Sequence, residues 1–239
     1  MEPACGGCKC SKCPVPGSVY SFKEQREHDI VNGGLTYCKE SKRWFAELPW
    51  KTSRNALARN DKAALKGLVS VEKLLIKKPE LAEEFCQQIK AMVERGAAVL
   101  LSNEERESWK GDYHYLPMVG VKNKKGLRVC FDASRKQCGR ESMNHFLYKG
   151  PDRFMNDLLS VLLCFRDGRV GCAADIKKFH NQVYLIEEDK HMQRFMWRNM
   201  ETSKEPQHFA VPVNNFGVRP ANCIATCSLH RSADELATV

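Results

Sequence analysis

The sequence predicts an α+β protein on three observations. Apolar residues recur at helical spacing over 61–75 and 79–93, and two pairs of short strand-like runs flank polar loops. The composition, 43% hydrophobic and 28% charged over 239 residues, is that of a folded globular chain with enough length for a core.

The first 18 residues are rich in Cys, Gly and Pro and carry no periodicity, so 1–18 reads as a leader or linker. Residues 19–96 read as a helical N-terminal connecting region. Its first part, 19–56, is mixed and polar, with Trp44, Phe45 and Trp50 around Pro49 predicted to dock onto an apolar surface. Asp61 is placed to cap a helix bearing Ala64, Leu65, Leu68, Val71, Leu74 and Leu75 on one side. Pro79 suits the first turn of a second helix, with Leu81, Phe85, Ile89, Met92 and Val93 apolar and Gly96 at its C-terminal cap. From 97 to 239 the pattern changes. Tyr115 to Val121 and Leu127 to Phe131 read as strands joined by the basic turn Lys122 to Gly126, and 152–167 reads as a helix. Val170 to Ala174 reads as a short strand running into Asp175. A second hairpin, Met192 to Trp197 with His208 to Val213, precedes a final helix from Ala221 to Leu236.

The longest apolar stretch, Leu158 to Phe165, is broken by Ser160 and falls far short of the ~20 residues that span a bilayer. The N-terminus shows no basic-then-apolar signal pattern. Membrane and secreted classes are therefore not expected, and an intracellular, cytoplasmic protein is. Four of the 12 cysteines crowd the leader, and the scattered ones are expected to be reduced, mostly core thiols.

The net charge is +9, and it is concentrated. Between 110 and 150 nine basic residues face three acidic ones, which accounts for most of the excess. A basic hairpin suits a polyanion, because neutralised phosphates release counterions; it also suits plain solubility. Asp175, at the end of its strand, is placed either to hold a divalent cation or to cap the segment after it.

The order of motifs resembles the reverse transcriptase of BEL/Pao-type long-terminal-repeat retrotransposons. The residues that carry the resemblance are the leader Cys5 to Pro14, Leu48-Pro49-Trp50, Glu94-Arg95-Gly96 and His114-Tyr115-Leu116-Pro117. Leu127 to Ser134, Met143-Asn144, Gly150-Pro151, Ala174 to Lys178, Arg194 to Arg198 and Phe216 to Ala221 continue the series. The resemblance implies a partial right-hand polymerase, fingers and incomplete palm. Asp175 would be the first catalytic aspartate, binding Mg2+ with the Ile176 carbonyl as accessory ligand. Arg128 and Lys125 would contact the triphosphate of a deoxynucleotide, and Asp132 would orient the basic loop. His180 would stand at the sugar gate, and Phe216-Gly217 beside the incoming base. Lys122, Lys124, Arg135 and Lys136 would meet an RNA/DNA primer-template.

Three departures matter. His180 replaces the aromatic residue usual in this family at the gate, and Asn222 stands where related elements often carry Pro or Gly. No Asp-Asp pair occurs anywhere in the sequence, and Glu187-Glu188-Asp189 reads as solvated surface. The chain is expected to stop before the second aspartate motif and to be inactive without a C-terminal polymerase half. The alternatives are a non-catalytic nucleic-acid-binding module and a decayed retroelement relic. Cys5, Cys8, Cys10 and Cys13 form two Cys-x-x-Cys knuckles suited to Zn2+, against a flexible thiol-rich linker.

Overall fold

Ser21 opens the first helix. Its N–H donates to Glu24 Oε2 (2.9 Å), and the Glu24 N–H donates to Ser21 Oγ (3.2 Å), a reciprocal cap on donors that every helix start leaves bare. The structure, a computed structural model, describes residues 13, 15–18, 20–57, 59–123, 126–136, 139–151 and 158–237. Helix α1 (Phe22–Gly33) leads into a hairpin of β1 (Leu35–Cys38) and β2 (Arg43–Ala46). None of these three elements stood out in the polar 19–56 segment, although Ser21 and Glu24 spell a capping box.

Helices α2 (Asp61–Ile76) and α3 (Pro79–Glu94) form where the apolar spacing places them. Pro79 occupies the first turn, and Gly96 takes φ +72°, the left-handed turn that stops a helix. Asp61 is not the cap of α2; Asn60 precedes the helix without a capping side-chain bond, and Asp61 instead accepts from the Tyr113 hydroxyl at 3.2 Å. After β3 (Val99–Leu100) and α4 (Asn103–Ser108) come β4 (Met118–Asn123) and β5 (Gly126–Phe131), paired antiparallel from Met118↔Phe131 to Asn123↔Gly126. The first strand thus starts later than predicted. Tyr115 makes only a parallel bridge to Arg194, and the Pro117 carbonyl turns to take the Asp132 N–H at 2.9 Å.

Helix α5 (Leu158–Asp167) covers the described part of the predicted 152–167 helix, and the rest lies outside the described residues. Its apolar side chains are not packed: Leu159, Leu163 and Phe165 are about half or more exposed. Val170 to Ala174 is not a strand. Val170 is 80% exposed and the segment extends without a ladder partner, so its backbone groups face water. Here β6 (Tyr184–Leu185) takes the pairing, lying parallel to β2 through Phe45↔Tyr184 and Ala46↔Leu185.

Next come α6 (Glu187–His191), the antiparallel pair β7 (Arg194–Trp197) and β8 (Gln207–Ala210), and α7 (Ala221–Ala237). The sheets run β1-β2-β6, β3-β8-β7 and β4-β5. One hydrophobic cluster, from Val31 through Phe85, Phe131 and Phe195 to Ile224, runs through elements on both sides of residue 96.

Two buried carboxylates tie these layers together. Glu72 of α2, 2% exposed, takes both Nε (2.7 Å) and Nη2 (2.6 Å) of Arg198 just past β7. Asp189 of α6 is fully buried, which corrects its reading as solvated surface. It accepts from Leu48 N–H (2.7 Å), Trp50 Nε1 (2.8 Å) and Arg54 Nε (2.7 Å). The aromatic segment therefore docks through polar bonds to a carboxylate as well as through apolar contact.

The thiols also differ from expectation. Of the scattered cysteines that are described, Cys223 and Cys227 are buried, Cys38, Cys86 and Cys130 half-buried, and Cys164 and Cys172 exposed; all are free. Among the described residues no helix is long and apolar enough to cross a membrane.

Candidate functional site: a cationic cleft

Strand alternation gives β5 its two faces. Leu127 and Phe131 are buried, so Arg128 points outward. Helix α3 fixes this strand through side chains that act as ladder partners. Glu84 Oε2 accepts the Leu127 N–H (2.9 Å), Gln88 Oε1 accepts the Val129 N–H (3.3 Å), and Gln88 Nε2 donates to the Leu127 carbonyl. Arg128 thus sits between two backbone positions pinned to α3, and the end of α3 brings Arg95 to the same side.

The second wall follows the exposed segment 171–177. Lys178 takes φ 55°, ψ 42°, an uncommon left-handed conformation for a lysine, and starts the 3-10 turn Phe179–Gln182. His180 in that turn meets Phe216 edge-on at 5.6 Å. Phe216 is 68% exposed, held out from the core by the turn it occupies.

Gly217, next in that turn, has φ +105°, and a Cβ there would stand 2.6 Å from the Phe131 carbonyl oxygen, so only glycine permits the approach to β5. Asn144 clamps the same turn. Its Nδ2 donates to the Gly217 carbonyl (2.9 Å), and its Oδ1 accepts the Arg219 N–H (2.7 Å).

Arg95, Arg128, Lys178, His180, Asn215 and Phe216 line one cleft of about 420 Å3, floored by Met92, Leu127 and Val211. Among the described residues no carboxylate lines it. Burial, then the neighbouring charges of Arg95, Arg128 and Lys177, push the Lys178 ammonium below its ordinary value. Burial does the same to Arg95. The cations repel one another, and a bound anion would relieve that repulsion.

His180 is likewise lowered by burial, against a hydrogen bond with Asn222 that works the other way; its imidazole is neutral at neutral pH. Asn215, 8% exposed, has an Nδ2 donor with no hydrogen-bond partner among the described residues. Cys130 is raised by burial more than Arg128 lowers it, so it stays a thiol. The arrangement places cations and an amide donor beside an exposed ring, a setting suited to anionic oxygens.

Of the sequence-predicted residues, Arg128, His180 and Phe216 meet in this cleft, with Gly217 adjoining Phe216. Asp132 Oδ1 accepts the Ser134 N–H (3.1 Å) and shapes the turn beyond β5. Arg135 lines a different cavity, and Lys136 pairs with Glu141 at 2.9 Å. Lys122 ends up in β4, with its side chain outside the described set; Lys124 and Lys125 lie outside the described residues altogether.

Asp175 and Ile176 stand in the exposed segment before Lys178 and do not line the cleft. Among the described residues no group of three or more His, Cys, Asp or Glu is placed to hold a metal. Cys5, Cys8 and Cys10 lie outside the described residues, and Cys13 is half-buried.

Arg95, Lys178, Gln88 and Asn215 were not singled out as site residues by sequence reasoning. Arg95 and Lys178 sit inside quoted motifs, whereas nothing in the sequence marks Gln88 or Asn215. Compared with known proteins, the chain matches no family model and no curated sequence.

Proposed function

We propose that the chain is a reverse-transcriptase-like fragment, with fingers and an incomplete palm of the BEL/Pao type, whose cationic cleft binds a nucleoside triphosphate without carrying out transfer on its own. The observation behind this reading is the convergence of Arg95, Arg128 and Lys178 with His180 and Phe216 around one acid-free cleft. Three cations suit a triphosphate's oxygens, and the exposed Phe216 ring suits the flat face of a base. The neutral, half-buried His180 beside Phe216 would lie under the sugar.

Two-metal nucleotidyl transfer needs carboxylates that hold both ions around the reacting phosphate. Asp175 and the Ile176 carbonyl are the residues the resemblance offers for magnesium. Asp175 stands in exposed chain outside the cleft, and the sequence holds no Asp-Asp pair. Zinc at the cysteine leader remains a proposal carried by the Cys-x-x-Cys spacing alone.

Primer extension tests the catalytic part. The purified chain, given primer-template, deoxynucleotides and Mg2+ or Mn2+, is expected to add no nucleotide; clear incorporation would overturn the reading. A second reading is that of a nucleic-acid-binding module, favoured by the same lack of acid in the cleft. It requires salt-dependent primer-template binding that is lost when Lys124, Lys125 and Arg128 are replaced together.

A further inference from the structure

A larger cavity, about 710 Å3, shares no lining residue with the cleft. The described residues leading into α2 form one wall, and Arg135, Arg140, Glu141 and Phe146 form the other. Its volume lies within the range of small-molecule sites. Leu57 and Phe146 supply an apolar surface, while Arg59, Lys62, Arg135 and Arg140 place four cations around it.

The two acids in the lining are engaged elsewhere. Asp61 accepts from the Tyr113 hydroxyl (3.2 Å), and Glu141 holds Lys136 (2.9 Å); neither Tyr113 nor Lys136 lines the cavity. Lys62, Arg135 and Arg140 form no ion pair among the described residues. Arg59 is set in place by the Tyr113 ring, 4.6 Å from its guanidinium carbon.

The first turn of α2 carries an acid that the helix dipole favours, Asp61, next to a cation that it does not, Lys62. Asn60, at the N-cap position, does not cap; it donates to the Tyr115 carbonyl (2.7 Å) and accepts the Tyr115 N–H (2.8 Å). The first N–H groups of α2 are thus left without a side-chain cap where the lining cations gather. Such conflicts between local rule and structure are expected at binding sites.

We propose that this cavity is a second phosphate site, separate from the Arg128 cleft, that takes a phosphomonoester joined to a flat apolar group, of the size of a nucleoside monophosphate. Four cations suit a dianion better than the single charge of an internal phosphodiester, and Leu57 with Phe146 accounts for the apolar part. The same chemistry comes from a free nucleotide or from the 5′-phosphorylated end of a strand.

Calorimetric titration of the full chain with adenosine 5′-monophosphate tests this. Saturable binding is expected, with adenosine and inorganic phosphate each binding at least about tenfold more weakly, the scale of one lost charge-assisted contact. The double variant Arg135→Ala/Arg140→Ala should lose about tenfold or more, while Lys110→Ala, an exposed lysine lining neither cavity, should bind as the parent does. Both arginines are exposed, so the melting curve should not move; Lys62→Glu gives an independent reading from the opposite wall.

Competition by a 5′-phosphorylated oligonucleotide, but not by its 5′-hydroxyl twin, identifies a strand end as the source. Lack of competition by either identifies the free nucleotide. Three results would overturn the proposal: no saturable binding at millimolar nucleotide, binding untouched by the double variant, or binding lost in Lys110→Ala alone.

Discussion

Replacing Asp189 should unlock the N-terminal third of the chain from the rest. Its carboxylate is fully buried and accepts three hydrogen bonds from Leu48, Trp50 and Arg54, all more than 130 residues away in sequence. Asp189→Ala strands a buried backbone N–H, an indole N–H and a guanidinium that keeps 29% of its side chain in solvent. Breaking a buried pair by deleting one partner costs about 3–5 kcal/mol, and each stranded neutral donor about 1–3 kcal/mol. Because Arg54 recovers part of its hydration, a net loss of about 4 kcal/mol is expected. Asp189→Asn keeps one acceptor oxygen but turns an amide N–H toward the donors, for a loss of about 2–3 kcal/mol. Urea unfolding followed by tryptophan fluorescence measures both, with Trp50 a direct reporter of the lost bond. A loss below about 1 kcal/mol in Asp189→Ala, at unchanged denaturant slope, would refute the idea that this carboxylate is a structural anchor.

Three further outcomes are expected. Burial and the cations Arg194 and Lys190 hold His191 at about 4, and burial with Arg106 and Arg194 holds His208 at about 4. Both lie below the ordinary histidine value, so the unfolded chain takes up protons that the folded chain refuses. Stability should be full above about pH 6.5 and fall toward pH 4, by up to about 1.4 kcal/mol per pH unit for each group, and His208→Gln should flatten part of that slope in pH-dependent melts. Glu72→Gln breaks the charge pairing with Arg198 and should cost about 2–4 kcal/mol in the same unfolding assay; a neutral result would mean that α2 and β7 are held by apolar packing alone. Gly217→Ala forces a Cβ against the Phe131 carbonyl at positive φ, so a loss of about 1–3 kcal/mol is expected together with weaker ligand uptake in the cleft.

Much of this molecule is legible where one local rule governs it. Leu68, Leu75, Phe85 and Ile89 recur with helical spacing and are buried at those positions; Pro79 and Gly96 bracket α3 as their backbone preferences require. The β4-β5 hairpin follows from alternation around a basic turn. What escaped depends on partners distant in sequence. Val170 to Ala174 has strand composition, but pairing decides strands, and the ladder went to β6. Glu187-Glu188-Asp189 looks like surface because three acids in a row are usually solvated; the third is buried only because Leu48, Trp50 and Arg54 supply donors. In the cleft, Arg128, His180 and Phe216 were anticipated through motif order. Arg95 and Lys178 join them through a helix end and a left-handed turn that no spacing rule announces.

The cleft itself is tested most directly by equilibrium binding of a deoxynucleoside triphosphate without metal, at low and at moderate salt. The parent chain should bind it, more weakly as salt rises, and Arg128→Ala/Lys178→Ala should bind at least about tenfold less tightly while melting at the same temperature. Equal affinity in parent and variant, or no binding by the parent at all, would contradict a triphosphate site built on Arg95, Arg128 and Lys178.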